Sequence, residues 1–327
     1  MTAADDLVLV SGGAGYIGSH LVRELLAAGT SVRVVDSLAV GTGSSLRSHR
    51  ADPRFEFVHG DVRDPSIRAK ALTGASAVVH LAAVVGDPAC ARDETVAKEV
   101  NQAATRALLE DAESAGCRRF VFASTCSNYG RLADGASSAT EDWPLRPVSL
   151  YAETKVAAEL DVVAAARAQF VTTCLRFATV YGVSPRMRFD LTVNEFARDA
   201  LLKGELVVYG EQFWRPYVHV RDAARAVVAV VGADPEIVSG EVFNVGDTGQ
   251  NFRKQDLVEL LVARLPATNV ERVARAEDPR DYRVSFDKIR AILGFAITRT
   301  VPDGIDEVLA LLSSGSVDDP YADDFRN

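Results

Sequence analysis

The run Leu7–Ser11 passes directly into Gly12-Gly13-Ala14-Gly15-Tyr16-Ile17-Gly18 and then into an amphipathic stretch, Ile17–Ala28. Glycine at 12, 15 and 18 allows a turn too tight for side chains between a buried strand and a helix. Such a turn gathers the unpaired N–H groups and the positive dipole end of the helix just outside the strand end. A pyrophosphate fits there, and a glycine spacing that follows a strand and opens a helix has the context this use requires.

The alternation continues. Ser31–Val35, Phe55–Val58, Ala77–Leu81, Phe120–Ser124 and Thr172–Phe177 are short β-branched or aromatic runs that read as buried strands. Thr95–Ala115 and Leu150–Gln169 read as helices between them. Strands alternating with helices imply a parallel sheet covered on both faces, wound by right-handed crossovers. The expected fold is therefore α/β: a Rossmann-type doubly wound parallel sheet with a smaller C-terminal α/β substrate lobe. Residues 1–180 are assigned to the first domain and 181–327 mainly to the lobe, with 211–250 partly returning to the sheet. In that second part Leu191–Lys203, Asp222–Val231 and Lys254–Leu265 read as helices, and Val207–Val208 and Val242–Val245 as strands.

Bulk properties exclude several classes. The 327 residues carry 45 acidic and 36 basic side chains, a net charge of −9, which disfavours a nucleic-acid partner. No apolar run approaches the roughly 20 residues a bilayer requires, and the first residues are acidic, not a basic-then-apolar leader. Cys90, Cys117, Cys126 and Cys174 form no C-x-x-C pair, so neither a metal knuckle nor a disulfide framework is expected. These features suggest a cytoplasmic protein with reduced thiols and no metal.

Two further features point to redox chemistry. Asp36 ends the second strand, where a carboxylate accepts hydrogen bonds from adenosine ribose hydroxyls and repels a 2′-phosphate, favouring NAD over NADP. Arg33 is nearby but expected on the other side of the strand. Tyr151 and Lys155 stand four apart in a predicted helix and so share a face. A phenol is a poor base at neutral pH until positive charge lowers its pKa, and an adjacent ammonium with a cationic nicotinamide supplies that charge.

The series Gly12–Gly18, Asp36, Gly60-Asp61-Val62, His80-Leu81-Ala82-Ala83, Asn101, Ala123-Ser124-Thr125, Tyr129-Gly130 and Tyr151 with Lys155 resembles the extended short-chain dehydrogenase/reductase family, in its sugar-nucleotide epimerase/dehydratase branch. Later segments, Arg176-Phe177, Tyr181-Gly182, Tyr209-Gly210, Arg215, Tyr217–Val220 and Asp281, extend the resemblance over nearly the whole chain. The resemblance implies that Thr125, Tyr151 and Lys155 are catalytic. It implies NAD contacts at Gly12, Gly15, Tyr16, Ile17, Gly18, Asp36, Asp61, Val62, Leu81, Ala82, Ala83 and Ser124, besides Tyr151 and Lys155. It also implies a homodimer. His80, Asn101 and His219 are read as satisfied interior groups.

The substrate implied is a nucleoside diphosphate-sugar, with candidate contacts from Cys126, Ser127, Thr179, Arg188, Tyr209, Arg215 and Arg280. Arginine suits the diphosphate oxygens; Arg186 is a further candidate, and Val208 with Tyr209 offers a surface for the base. The 4,6-dehydratases of this branch carry Asp-Glu after the threonine, whereas this chain has Thr125-Cys126-Ser127, which disfavours dehydration. The reading is a NAD-dependent epimerase acting at C4, with Ala82, Ala83, Cys126, Ser127 and Ala178 leaving room for the keto sugar to turn. The alternatives are an NADH-dependent reductase of an NDP-4-keto-sugar and, from another class, a non-catalytic NAD-binding protein.

Overall fold

The computed structural model describes residues 6–132, 138–274 and 281–327. Seven strands form one parallel sheet: β1 (Leu7–Ser11), β2 (Ser31–Asp36), β3 (Phe55–His59), β4 (Ala75–His80), β5 (Arg119–Thr125), β6 (Val171–Phe177) and, after three strands outside this sheet, β10 (Glu241–Val245). Their spatial order is β10-β6-β5-β4-β1-β2-β3. Order therefore reverses beside β1 and β4, and in a doubly wound sheet ligands bind outside the strand ends at that switch. Every residue of β6 is buried, as expected when helices cover both faces.

Past residue 178 the chain divides its elements between the sheet and a second body. Helix Val220–Val231 packs through Ala223, Ala224 and Val227 onto Leu21, Val22 and Leu25 of helix Gly18–Ala27. The second body has its own core around Tyr181, Phe189, Leu206, Tyr217, Leu257 and Ile305. In it β7 (Thr179–Tyr181), β9 (Trp214–His219) and β11 (Asn251–Arg253) form one small sheet, and β8 (Glu205–Tyr209) pairs in parallel with β12 (Asn269–Val273).

Two expected helices differ. The stretch read as Thr95–Ala115 is a helix at Glu94–Lys98, a π turn at Glu99–Ala103 and a helix at Ala104–Ser114. The helix read as Leu150–Gln169 ends at Ala164, because Arg167 and Phe170 pair to start β6. Among the described residues no helix is long and apolar enough to cross a membrane, and the four cysteines are unpaired and buried.

Candidate functional site

The glycine turn sits at the switch. Gly12 has φ +73°, and a Cβ there would lie 2.7 Å from the backbone nitrogen of Ala82. A Cβ on Gly18 would lie 2.3 Å from the Gly12 carbonyl oxygen. The backbones of the β1 and β4 ends thus meet with no space for side chains. Helix Gly18–Ala27 starts at Ile17 with no capping side chain and no acidic residue in its first turn. The N–H groups of Ser19 and His20 already bond back to Gly15 and Ile17, which leaves those just before them, at the mouth of the turn, to meet an anion, and this cradle fits a dinucleotide pyrophosphate. Leu81, Ala82 and Ala83 form the half-buried wall after β4.

Asp36 closes the other side. Its carboxylate accepts the N–H of Ala14 and of Leu38, each at 2.9 Å. Burial raises its pKa and the two N–H donors oppose that. Arg33 points away, to Glu56 at 2.7 Å and the Ala71 carbonyl at 2.9 Å. Asp61 is at the rim, held below the usual carboxylate range by Arg63 at 2.8 Å.

Three expected cofactor contacts are corrected at the side-chain level. Val62 turns into the core beside Ala71 and Leu72, and its carbonyl accepts from Arg68 at 3.0 Å. The Tyr16 ring leaves the turn for the second body, where its hydroxyl donates to the Gly182 carbonyl at 2.6 Å and accepts from Asn194 at 3.1 Å. The Ser124 hydroxyl is buried and donates to Glu159 at 2.5 Å. Successive strand residues face opposite sides, so the residue beside Thr125 cannot share its direction.

Thr125, Tyr151 and Lys155 converge. Helix Leu150–Ala164 is capped by Ser149, whose hydroxyl donates to Asp87 at 2.7 Å. Thr125 ends β5, accepts the Ser127 N–H at 3.1 Å and lies beside Tyr151. Burial pushes the Tyr151 phenol well above its ordinary range; Cys90 and Asp87 reinforce this, while Arg188 and Thr125 oppose it. Lys155 is 3% exposed, with Nζ 4.3 Å from the centroid of the Phe122 ring. Burial lowers its pKa to about 8.

Asn101 and His80 brace this centre. The π turn aims Asn101 at the loop after β4, where it accepts the Val84 N–H at 2.8 Å and donates to the Val84 carbonyl at 2.9 Å. It also donates to Thr154, between Tyr151 and Lys155, at 3.3 Å. Thr105 donates to the Asn101 carbonyl, so its oxygen accepts from His80 Nε2 and His80 Nδ1 accepts from Ser11. Burial holds His80 neutral, with a pKa of about 3.

The substrate candidates divide. Ser127 is half-buried, its hydroxyl 3.5 Å from that of Tyr282, a buried residue the sequence reading missed. The Arg215 guanidinium lies 5.6 Å from the Tyr282 ring centroid, so Ser127, Tyr282 and Arg215 form a line leading from Thr125. Arg188 is bidentate to Asp190 at 2.9 and 2.6 Å, yet its charge acts on Tyr151. Arg186 is buried against Gly41 and donates to the Arg326 carbonyl at 2.6 Å. Thr179 is half-buried in β7, and Tyr209 is exposed at the end of β8. Three expectations are overturned: Cys126, Ala178 and Val208 are core residues. The Cys126 thiol donates to the Arg176 carbonyl at 3.2 Å, and burial raises its pKa. Arg280 lies outside the described residues.

A cleft of about 1250 Å³ opens at the opposite, amino-terminal ends of β1, β4, β5 and β6. It contains neither the glycine turn nor the tyrosine–lysine pair, and Arg118 in it is paired with Asp6 at 2.6 Å.

Comparison with known proteins agrees with this geometry. The model of the NAD dependent epimerase/dehydratase family matches residues 8–246. A dTDP-glucose 4,6-dehydratase of an Actinoplanes species is 32% identical over 93% of this chain and 96% of its own. The dTDP-glucose 4,6-dehydratase of Streptomyces venezuelae, solved with NAD and TYD bound, superposes with a TM-score of 0.84 at 32% identity, over 94% of this chain and 98% of its own. The UDP-glucose 4-epimerase of Thermus thermophilus in complex with NAD gives 0.81 at 29% identity, over 95% and 100%. The chain belongs to the NAD-dependent epimerase/dehydratase family of sugar-nucleotide enzymes, built on an α/β fold with a seven-stranded parallel sheet.

Proposed function

We propose that this chain is a NAD-dependent nucleoside diphosphate-sugar epimerase acting at C4. The observation that carries the reading is Thr125 acting on Tyr151 from the end of β5, with Lys155 buried one helical turn away, in a site where Cys126 and Ser127 follow the threonine. Acidic residues there would support elimination of water. A buried thiol that donates to a backbone carbonyl and a hydroxyl do not, so the reading departs from the dehydratases among the relatives.

The glycine turn, Asp36 and the wall Leu81–Ala83 would hold NAD, which when bound supplies the hydride acceptor. Asp36 favours the unphosphorylated ribose. Tyr151 receives the proton of the C4 hydroxyl and later returns it. Thr125 hydrogen-bonds the same oxygens, and the Lys155 ammonium stabilises phenolate. Burial keeps the phenol protonated in the protein alone, so its ionisation requires added positive charge in the pocket. With Cys126 and Ala178 in the core, room for the ring to turn comes from Ala82, Ala83 and Ser127. Arg215 and Arg188 are proposed at the diphosphate, and Tyr209 beside the base. The protein acts as a homodimer in the cytoplasm; exposed Leu160 lies on the outer face of the Tyr151 helix, where a second copy would cover it.

Tyr151→Phe tests the assignment, since it removes only the acid–base oxygen. Turnover should fall about 10²–10⁴-fold with folding and NAD binding intact. Unchanged turnover eliminates Tyr151 as the acid–base group. The competing reading, reduction of a 4-keto sugar, uses the same residues and differs in its cofactor balance.

A further inference from the structure

On the face of β5 opposite Thr125 lies a buried ionic cluster that the proposed reaction leaves without a role. Glu159 is 2% exposed. Its carboxylate accepts from the Ser124 hydroxyl at 2.5 Å and the Asn128 amide at 3.3 Å. Arg176 donates to it from Nη2 at 2.6 Å and from Nε at 3.1 Å. Arg176 Nη1 continues to the Tyr129 hydroxyl at 2.7 Å and the Glu141 carbonyl at 2.9 Å. Tyr129 in turn donates to Asn244 at 2.7 Å. The cluster ties together the end of β5, the turn after it, the Tyr151 helix, β6 and β10.

Glu159 stands one helical turn beyond Lys155 and two beyond Tyr151, while Ser124 is the chain neighbour of Thr125. One short hydrogen bond therefore joins the strand that carries Thr125 to the helix that carries the other two groups. Arg176 already neutralises the carboxylate through two nitrogens, so the Ser124 donor is not needed for charge balance. What it adds is register between strand and helix.

We infer that Glu159 is a positioning residue: through Ser124 it fixes Thr125 against Tyr151. The inference rests on the proposed catalytic role of Tyr151. It gives a reason for an ion pair in this place, since a buried pair is in general no more stabilising than a well-packed apolar one.

The test uses full-length Ser124→Ala, Glu159→Gln and Tyr151→Phe, saturated with NAD and supplied with UDP-glucose, UDP-galactose and dTDP-glucose, with products followed by NMR. Ser124→Ala removes the tie without exposing a charge. Its kcat should fall about 10-fold, as expected for a small misalignment of reacting groups, with KM and NAD affinity little changed. Glu159→Gln keeps an acceptor oxygen for Ser124, so its kcat should fall less than that of Ser124→Ala. If Glu159→Gln does not fold, Ser124→Ala decides alone. Undiminished kcat in Ser124→Ala, or a larger fall in a folded Glu159→Gln than in Ser124→Ala, overturns the inference while a dead Tyr151→Phe leaves the catalytic reading standing. No conversion of any probe, or full activity in Tyr151→Phe, overturns both.

Discussion

At the scale of single residues, function depends on charge states that burial sets against solution habit. Lys155 must be an ammonium to stabilise a phenolate, yet burial brings its pKa down to about 8 from an ordinary lysine value. A depressed lysine is charged below its pKa and neutral above it. Activity should therefore be retained below about pH 8 and decline as pH rises through that value. A kcat/KM–pH profile checks this; a plateau continuing well above pH 9 would show that Lys155 stays charged by other means. The same scale shows where sequence reading falls short. Spacing along a helix puts Tyr151 and Lys155 on one face, whereas Thr125 entered the reading through resemblance to a known family; the structure brings the three together. Cys126, Ala178 and Val208 were misplaced because nearness to Thr125 along the chain, or to a substrate segment, does not say which side a residue faces. Tyr282 and Glu159 were missed because each meets its partners only in the fold, Ser127 for one and Ser124 with Arg176 for the other.

At the scale of elements, the turn between β1 and its helix is tightly constrained. Gly12 and Gly18 are required by contact with other backbone, which cannot move as a side-chain tip can. Gly18→Ala would place a methyl 2.3 Å from the Gly12 carbonyl and 2.6 Å from the Gly13 Cα. Overpacking of this kind costs about 1–3 kcal/mol, and here it displaces the N–H groups that would face the pyrophosphate. NAD affinity should fall by roughly 10-fold or more at that cost, measured by titration of intrinsic fluorescence. Unchanged affinity would mean that the turn does not hold the pyrophosphate. The π turn at Glu99–Ala103 is the contrasting case. Apolar periodicity runs through it unbroken, so the sequence reads as one helix, and only the demand that Asn101 reach Val84 reveals the extra residue in the turn.

At the scale of the whole molecule, the sheet order and the return of helix Val220–Val231 and β10 leave one end of the sheet facing the second body. That end holds the glycine turn, the tyrosine–lysine helix and the segment with Arg186 and Arg188. Tyr16 and Asn194 bind the turn to that segment, so the glycine turn and the proposed substrate residue Arg188 are hydrogen-bonded into one assembly. Alternation of strands and helices made the sheet legible from sequence. The second body was less so, because its strands are short and pair across long separations, as β9 does with β7 and β11. The central claim is that hydride leaves C4 of a nucleotide sugar and returns to it within this assembly. Purified protein is incubated in D2O with UDP-glucose or UDP-galactose and no added cofactor, and the products are read by NMR. The account predicts interconversion of the two C4 epimers with the original hydrogen retained at C4, since a transferred hydride does not exchange with solvent. A 4-keto-6-deoxy product carrying solvent deuterium, or conversion only with stoichiometric NADH, would contradict it.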